Sequence, residues 1–167
     1  MSHNILSKTD RALVAYLVSE GAGTVDDVYP AKRSADKDVP CTVCYSERAS
    51  LTHPYAAVYE VTVAIMIKTV PAVDVDEDPD APKAASEERV GATFDLFFAG
   101  LDSASDKLAD AITAAARASA ALGDEDLEDF TCQGVTVKGP EAGFDAKGNV
   151  WVDTLNLELL VCPANVS

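Results

Sequence analysis

Residues 55–70, YAAVYEVTVAIMIKTV, decide the fold. Tyr59, Val61, Val63, Ile65 and Ile67 recur at every second position, with Glu60, Thr62 and Lys68 between them. Side chains along an extended chain point alternately to opposite faces, so this spacing predicts a strand with one face on a core and the other turned away from it. Just upstream, residues 38–48, DVPCTVCYSER, predict a shorter strand near Pro40 to Ser46.

Outward from this pair the period changes. Ser7 to Glu20 reads as a helix: Ser7 and Asp10 form an S-x-x-D start, Ala12, Leu13, Tyr16, Leu17 and Val18 make an apolar stripe, and Gly21 closes it. Downstream, Val90, Phe94, Phe97, Phe98 and Leu101 fall at helical spacing. Leu108, Ile112, Ala115, Ala116 and Leu122 continue it after a break at Gly100 to Ser103. On the second segment Asp106 and Asp110 lie almost opposite Leu108, which sets them toward water or a wet cavity.

Residues 130–162 read as a hairpin with a long tip from Gly139 to Asn149. In its last strand Val150 and Val152 alternate, then Leu155, Leu157, Leu159 and Val161. The slip of phase near Asp153 and Thr154 predicts a bulge. The chain holds no internal repeat. The order of helix, two strands, helices and two strands predicts an α+β fold: a two-layer sandwich whose antiparallel four-stranded sheet is covered by helices on one face.

The 167 residues suit one domain, spanning 1–167, and at 48% apolar and 25% charged residues the composition is that of a folded chain. Twenty-eight acids against thirteen bases give a formal charge of −15, which disfavours attraction to nucleic-acid phosphate. The opening MSHNILSKTD lacks a basic segment followed by an apolar run, and no stretch approaches the length of a membrane span, so a soluble chain made in a cytoplasm is expected. Cys41, Cys44, Cys132 and Cys162 lie in apolar, strand-like segments and are expected to be reduced.

Residues 69–88, TVPAVDVDEDPDAPKAASEE, place seven carboxylates among three prolines. Asp76, Asp78, Asp80 and Glu87 occupy positions 1, 3, 5 and 12 of a calcium-loop pattern. Ala81 stands where the turn calls for Gly, Pro82 follows it, and a strand rather than a helix precedes it. A solvated, mutually repelling, flexible acidic loop at about 70–88 is therefore the expectation, with a calcium- or small-molecule-binding module as the alternative.

Cys41 and Cys44 form a C-x-x-C inside a strand, where residues three apart face opposite ways, and no second pair completes a zinc site. His53 precedes a proline in a connecting loop and His3 is near the start, neither with a nucleophile at a marked turn. No catalytic residue and no cofactor is expected. The two unpaired borders of a four-stranded sheet and a long hairpin instead suit assembly, with Phe144 at the hairpin tip and Trp151 near its base as candidate partner anchors.

The segments ALVAYLVSEG, VYPAKR, VPCTVCYSERAS, YEVTVAIMIKT, LADAITAAA, FTCQGVTVKGP and VWVDTLNLELLVCP, from about Asp10 to Pro163, together resemble the tail-terminator (tail-completion) proteins of long-tailed phages and related tailed viruses. The resemblance implies a structural virion protein and no enzyme. It would form a hexameric ring that ends the tail tube and joins it to the head or neck, and be assembled in the host cytoplasm. Its implied partners are copies of itself, the tail tube protein and the head-tail connector; DNA passes through its channel without specific binding, and no membrane is involved. Another neck or minor tail component of similar fold would share these features. The acidic stretch is longer than the family pattern needs. On such a ring Asp74, Asp76, Glu77, Asp78 and Asp80 would line or fringe the channel and repel DNA phosphate.

Overall fold

The computed structural model describes residues 5–21, 28–30, 41–53, 58–69, 91, 93–95, 97, 105–145 and 150–162. In order these form helix α1 (Ile5–Ser19), strands β1 (Val28–Pro30), β2 (Cys41–His53) and β3 (Val58–Thr69), helix α2 (Ser105–Ala121), a single 3₁₀ turn (Glu125–Leu127), and strands β4 (Thr131–Asp145) and β5 (Val150–Cys162). The class is α+β, with one five-stranded mixed sheet of order β1-β2-β3-β5-β4. β1 runs parallel to β2, and every other neighbouring pair is antiparallel.

The four-stranded antiparallel sheet expected from the sequence is thus corrected by one parallel border strand. Val28, Tyr29 and Pro30 pair with Thr42, Val43 and Cys44. Three residues are too few to show a period of two, and Pro30 removes the N–H that would carry the ladder further.

β3 answers to its sequence. Val61, Val63, Ile65 and Ile67 are buried, and the first three enter a core with α1, α2 and Leu155, Leu157, Leu159 and Val161 of β5. β3 and β5 pair from Tyr59–Val161 to Thr69–Trp151 with no shift of register. The bulge expected near Asp153 and Thr154 is therefore absent. Val152 and the leucines lie on opposite faces of a regular strand, the leucines toward the core and Val152 away from it, so the slip of phase needs no extra residue.

Irregularity falls elsewhere. β2 shifts register between Ser46 and Arg48 and between Leu51 and His53, and β4 between Cys132 and Gly134 and between Lys138 and Pro140. The first of these hides the second half of β2 from a period-two reading, which ended that strand at Ser46. Pairing also runs through most of the expected hairpin tip, as far as Asp145 with Val150.

α1 begins at Ile5, so Ser7 and Asp10 lie within it and are not its start; Asp10 is buried. Gly21 takes φ +78° just past its end, as anticipated. Of the expected first downstream helix, Gly91, Thr93, Phe94, Asp95 and Phe97 are helical, and the buried Phe97 ring meets Tyr16 edge-on at 5.6 Å. α2 buries Leu108, Ile112, Ala115 and Ala116 as its spacing requires, and Asp110 is exposed.

Leu122 departs from that stripe. α2 ends in a Schellman motif, with Gly123 at φ +127°, Gly123 N–H donating to Ala120 O and Asp124 N–H donating to Ser119 O. The chain turns away before Leu122 can reach the core, leaving it 91% exposed.

Candidate functional site

Among the described residues, β4 and the part of β2 beyond β1 present backbone groups that no neighbouring strand pairs, and the two helices cover part of each border. On β2, the buried Asp10 carboxylate of α1 accepts the Ser46 N–H at 2.7 Å and the Ser46 hydroxyl at 2.6 Å. On β4, Thr113 of α2 accepts the Cys132 N–H at 2.9 Å while donating to Ala109 O at 2.9 Å. Arg117 donates to the Thr131 hydroxyl beside it. Polar helix side chains thus do at the borders what a further strand would do, which is to satisfy buried backbone groups.

Thr113→Val keeps the shape and removes the acceptor. It is expected to cost about 1–2 kcal/mol, the ordinary result of leaving a partly buried N–H unpaired, read as a lower urea midpoint at constant slope.

Between these caps lies a further stretch of each border. Among the described residues no strand pairs with β2 beyond Cys44 on its outer side, nor with the outer side of β4. The two stretches are at the same level of the sheet. Arg48–Thr62–Glu158–Thr136, Ala49–Val61–Leu159–Val135 and Ser50–Glu60–Leu160–Gly134 form three consecutive straight rows from border to border. Since N–H and C=O directions alternate along the unshifted β3–β5 pair, the outward N–H groups of Ser46 and Cys132 fix the rest. Ala49 and Val135, in the middle row, both turn their backbone groups outward.

The sheet face away from the helices carries charge next to the β4 border. Glu60, Gly134, Val135, Thr136, Glu158 and Leu160 line a shallow depression of ≈ 340 Å³. Lys138 Nζ donates to Glu158 Oε1 at 2.6 Å. That hydrogen bond holds the Glu158 carboxyl below its ordinary range against a smaller opposing effect of burial, with further help from the Lys138 charge, a hydrogen bond with Glu60 and the charge of Arg48.

At the other end of the core, Arg11 of α1 bridges to Asp124 and Asp126 at 2.5 and 3.4 Å, fastening the 3₁₀ turn to the helix. Burial pushes the Tyr16 hydroxyl up to about 12, with Glu20 adding to it.

The four cysteines form no disulfide. Cys41 and Cys44 pair with Lys68 and Ile65, on opposite faces of β2 as their spacing required. Burial, and secondarily Asp10, raises the Cys44 thiol far above its usual value. Burial pushes Cys132 up to about 12, opposed by a backbone hydrogen bond from Gly134 and aided by Asp110. Such thiols stay protonated at neutral pH and are poor nucleophiles and ligands. No group of three His, Cys, Asp or Glu suited to a metal occurs among the described residues.

The other sequence candidates divide in two. Phe144 and Trp151 are directly opposite one another in the β4–β5 ladder, where their backbones pair; their side chains are outside the described set. Asp74, Asp76, Glu77, Asp78, Asp80 and Glu87 lie outside the described residues, as does His3, while His53 ends β2. Ala49, Val135 and the depression carry no chemical signature in the sequence, and register alone brings them out. No described helix is long and apolar enough to cross a membrane. Compared with known proteins, the chain matches no family model and no curated protein.

Proposed function

We propose that this chain is a structural protein of a tailed virus that closes with copies of itself into a ring, hexameric as in the tail-terminator proteins it resembles, where the tail tube meets the neck. The observation that carries this reading is the pair of borders, on β2 and on β4, that no strand pairs among the described residues and that stand level with each other on opposite sides of one sheet. Two different patches on opposite sides of a subunit make a head-to-tail contact, and head-to-tail contacts close into rings when the rotation permits. The formal charge of −15 suits a wall past which DNA slides without adhering. Asp74, Asp76, Glu77, Asp78 and Asp80 are proposed to face or fringe that channel, and Phe144 and Trp151 to meet the tail tube or connector.

Native mass spectrometry and negative-stain imaging of the full chain, alone and mixed with tail tubes lacking it, test the reading. Six-fold rings, free or capping tubes, are the expected result. A chain that stays monomeric in both settings and leaves the tubes open overturns it.

A further inference from the structure

Resting on that reading, we propose that the contact between copies is made by the border Arg48–Ser50 of β2 lying antiparallel against the border Gly134–Thr136 of β4 in the next copy. In this register Ala49 stands opposite Val135, and Arg48 reaches across Thr136 into the depression between Glu60 and Glu158.

Direction comes first. β2 and β3, β3 and β5, and β5 and β4 are each antiparallel, so β2 and β4 run in opposite senses within one sheet. A second copy set beside the first in the same orientation therefore meets β4 with an antiparallel β2. The three straight rows then continue from one copy into the next. Ala49 and Val135 already direct N–H and C=O outward, so this register lets them exchange both hydrogen bonds as an antiparallel hydrogen-bonded pair.

Length is limited from both ends. Toward Cys132 the β4 border is occupied by Thr113, and toward Ser46 the β2 border is occupied by Asp10. Beyond Ser46 the outer side of β2 belongs to β1, whose Pro30 is paired with Cys44. The same row, through Ile65 and Leu155, ends on β4 at Pro140. There β4 shifts register and has no N–H to offer, so it breaks from regular pairing at the level where the neighbour's β1 would stand in its way.

Charge selects the register. Within one copy Arg48 shares a row with Glu158, two strands away. The contact places the neighbour's Arg48 in that row on the other side, again two strands from Glu158, with the depression open between them. Arg48 and Thr136 are exposed, so both are available. A guanidinium there meets two carboxylates and the Thr136 hydroxyl, with Leu160 against its stem.

The test is a disulfide that one copy cannot make. Ser50 and Gly134 share a row but stand at opposite borders, three strand spacings or about 14 Å apart, beyond disulfide reach. A Cβ at Gly134 meets Leu160 at no closer than 3.5 Å, an ordinary contact. The full chain carrying Ser50→Cys and Gly134→Cys, mildly oxidised, is expected to give a ladder of covalent oligomers on a non-reducing gel, while either single variant stops at dimers. Arg48→Cys with Thr136→Cys, two rows away on the same face, serves if Gly134→Cys fails to fold. Independently, Arg48→Glu is expected to weaken self-association by about tenfold or more, with only a small fall in subunit melting from the lost attraction to its own Glu158. Rings seen by native mass spectrometry without a ladder, or an Arg48→Glu variant that assembles like the parent, overturn this contact and leave the ring reading standing. Absence of both rings and ladder overturns the two together.

Discussion

Asp10→Ala is expected to lower the unfolding free energy by about 3 kcal/mol. The carboxylate receives two short hydrogen bonds from Ser46 in a buried setting, and truncation strands the Ser46 N–H and hydroxyl together. Bonds to a charged acceptor contribute about 1.5–3 kcal/mol each, and a buried donor left unpaired costs about 1–3. For a chain of this size that is a fall in Tm of about 6–12 °C. Asp10→Asn keeps an acceptor and is expected to lose about 1 kcal/mol. A melt of the two variants checks the ordering, and hydrogen exchange at Ser46 checks the cause, since that amide should lose protection in the alanine variant first. Equal stability of all three forms would show that α1 is held to β2 by apolar packing alone.

The second large effect is expected at Phe130. Its side chain is fully buried where the 3₁₀ turn hands over to β4, and its N–H donates to Leu127 O at 3.2 Å. Phe130→Ala removes a ring from a core it shares with Leu108, Ile112, Leu127 and Leu159. Truncations of this kind cost about 3–5 kcal/mol, the spread depending on how far the surroundings collapse. The urea midpoint should drop accordingly at unchanged slope. Phe130→Leu, which refills much of the space, should recover more than half of the loss. A small effect of Phe130→Ala would mean that the turn from Asp124 to Asp129 relaxes inward, with Arg11 released from Asp124.

The sequence reveals those elements whose signal is local. Nine consecutive residues of β3 alternate because both of its neighbours pair with it without interruption along that run, apart from the single shift at Ser46/Arg48 on the β2 side. α1 and α2 show their apolar stripes because each packs on the core along one side. What stayed hidden depends on distant partners. Asp10 resembles a helix start in an S-x-x-D pattern, but its partner is 36 positions away in β2. β1 is three residues long and is recognisable only by its pairing with β2. The second half of β2 carries an extra residue after Ser46 and so loses the alternation by which strands are recognised. Val152 and Leu155 look out of phase because Val152 faces away from the core, in a row with Lys68 and Gly143, while the leucines face it. The proposed contact was the least visible of all: Ala49 and Val135 are chemically plain, and only the register from β2 through β3 and β5 to β4 sets them level. The acidic residues from Asp74 to Asp80 drew attention by composition alone.

The sheet order also has a kinetic side. β5, the last of the described elements to be synthesised, is not a border strand but sits between β3 and β4, and pairs with β3 from Tyr59 to Thr69. Until β5 emerges from the ribosome, β3 has one vacant flank, and Val61, Val63 and Ile65 wait for Leu155, Leu157 and Leu159. Loop closure over so long a separation makes such topologies slow to fold, and the waiting hairpin of β2 and β3 is a sticky intermediate. A nascent chain stalled before Val150 would be a substrate for chaperones, because the middle of its sheet is supplied last.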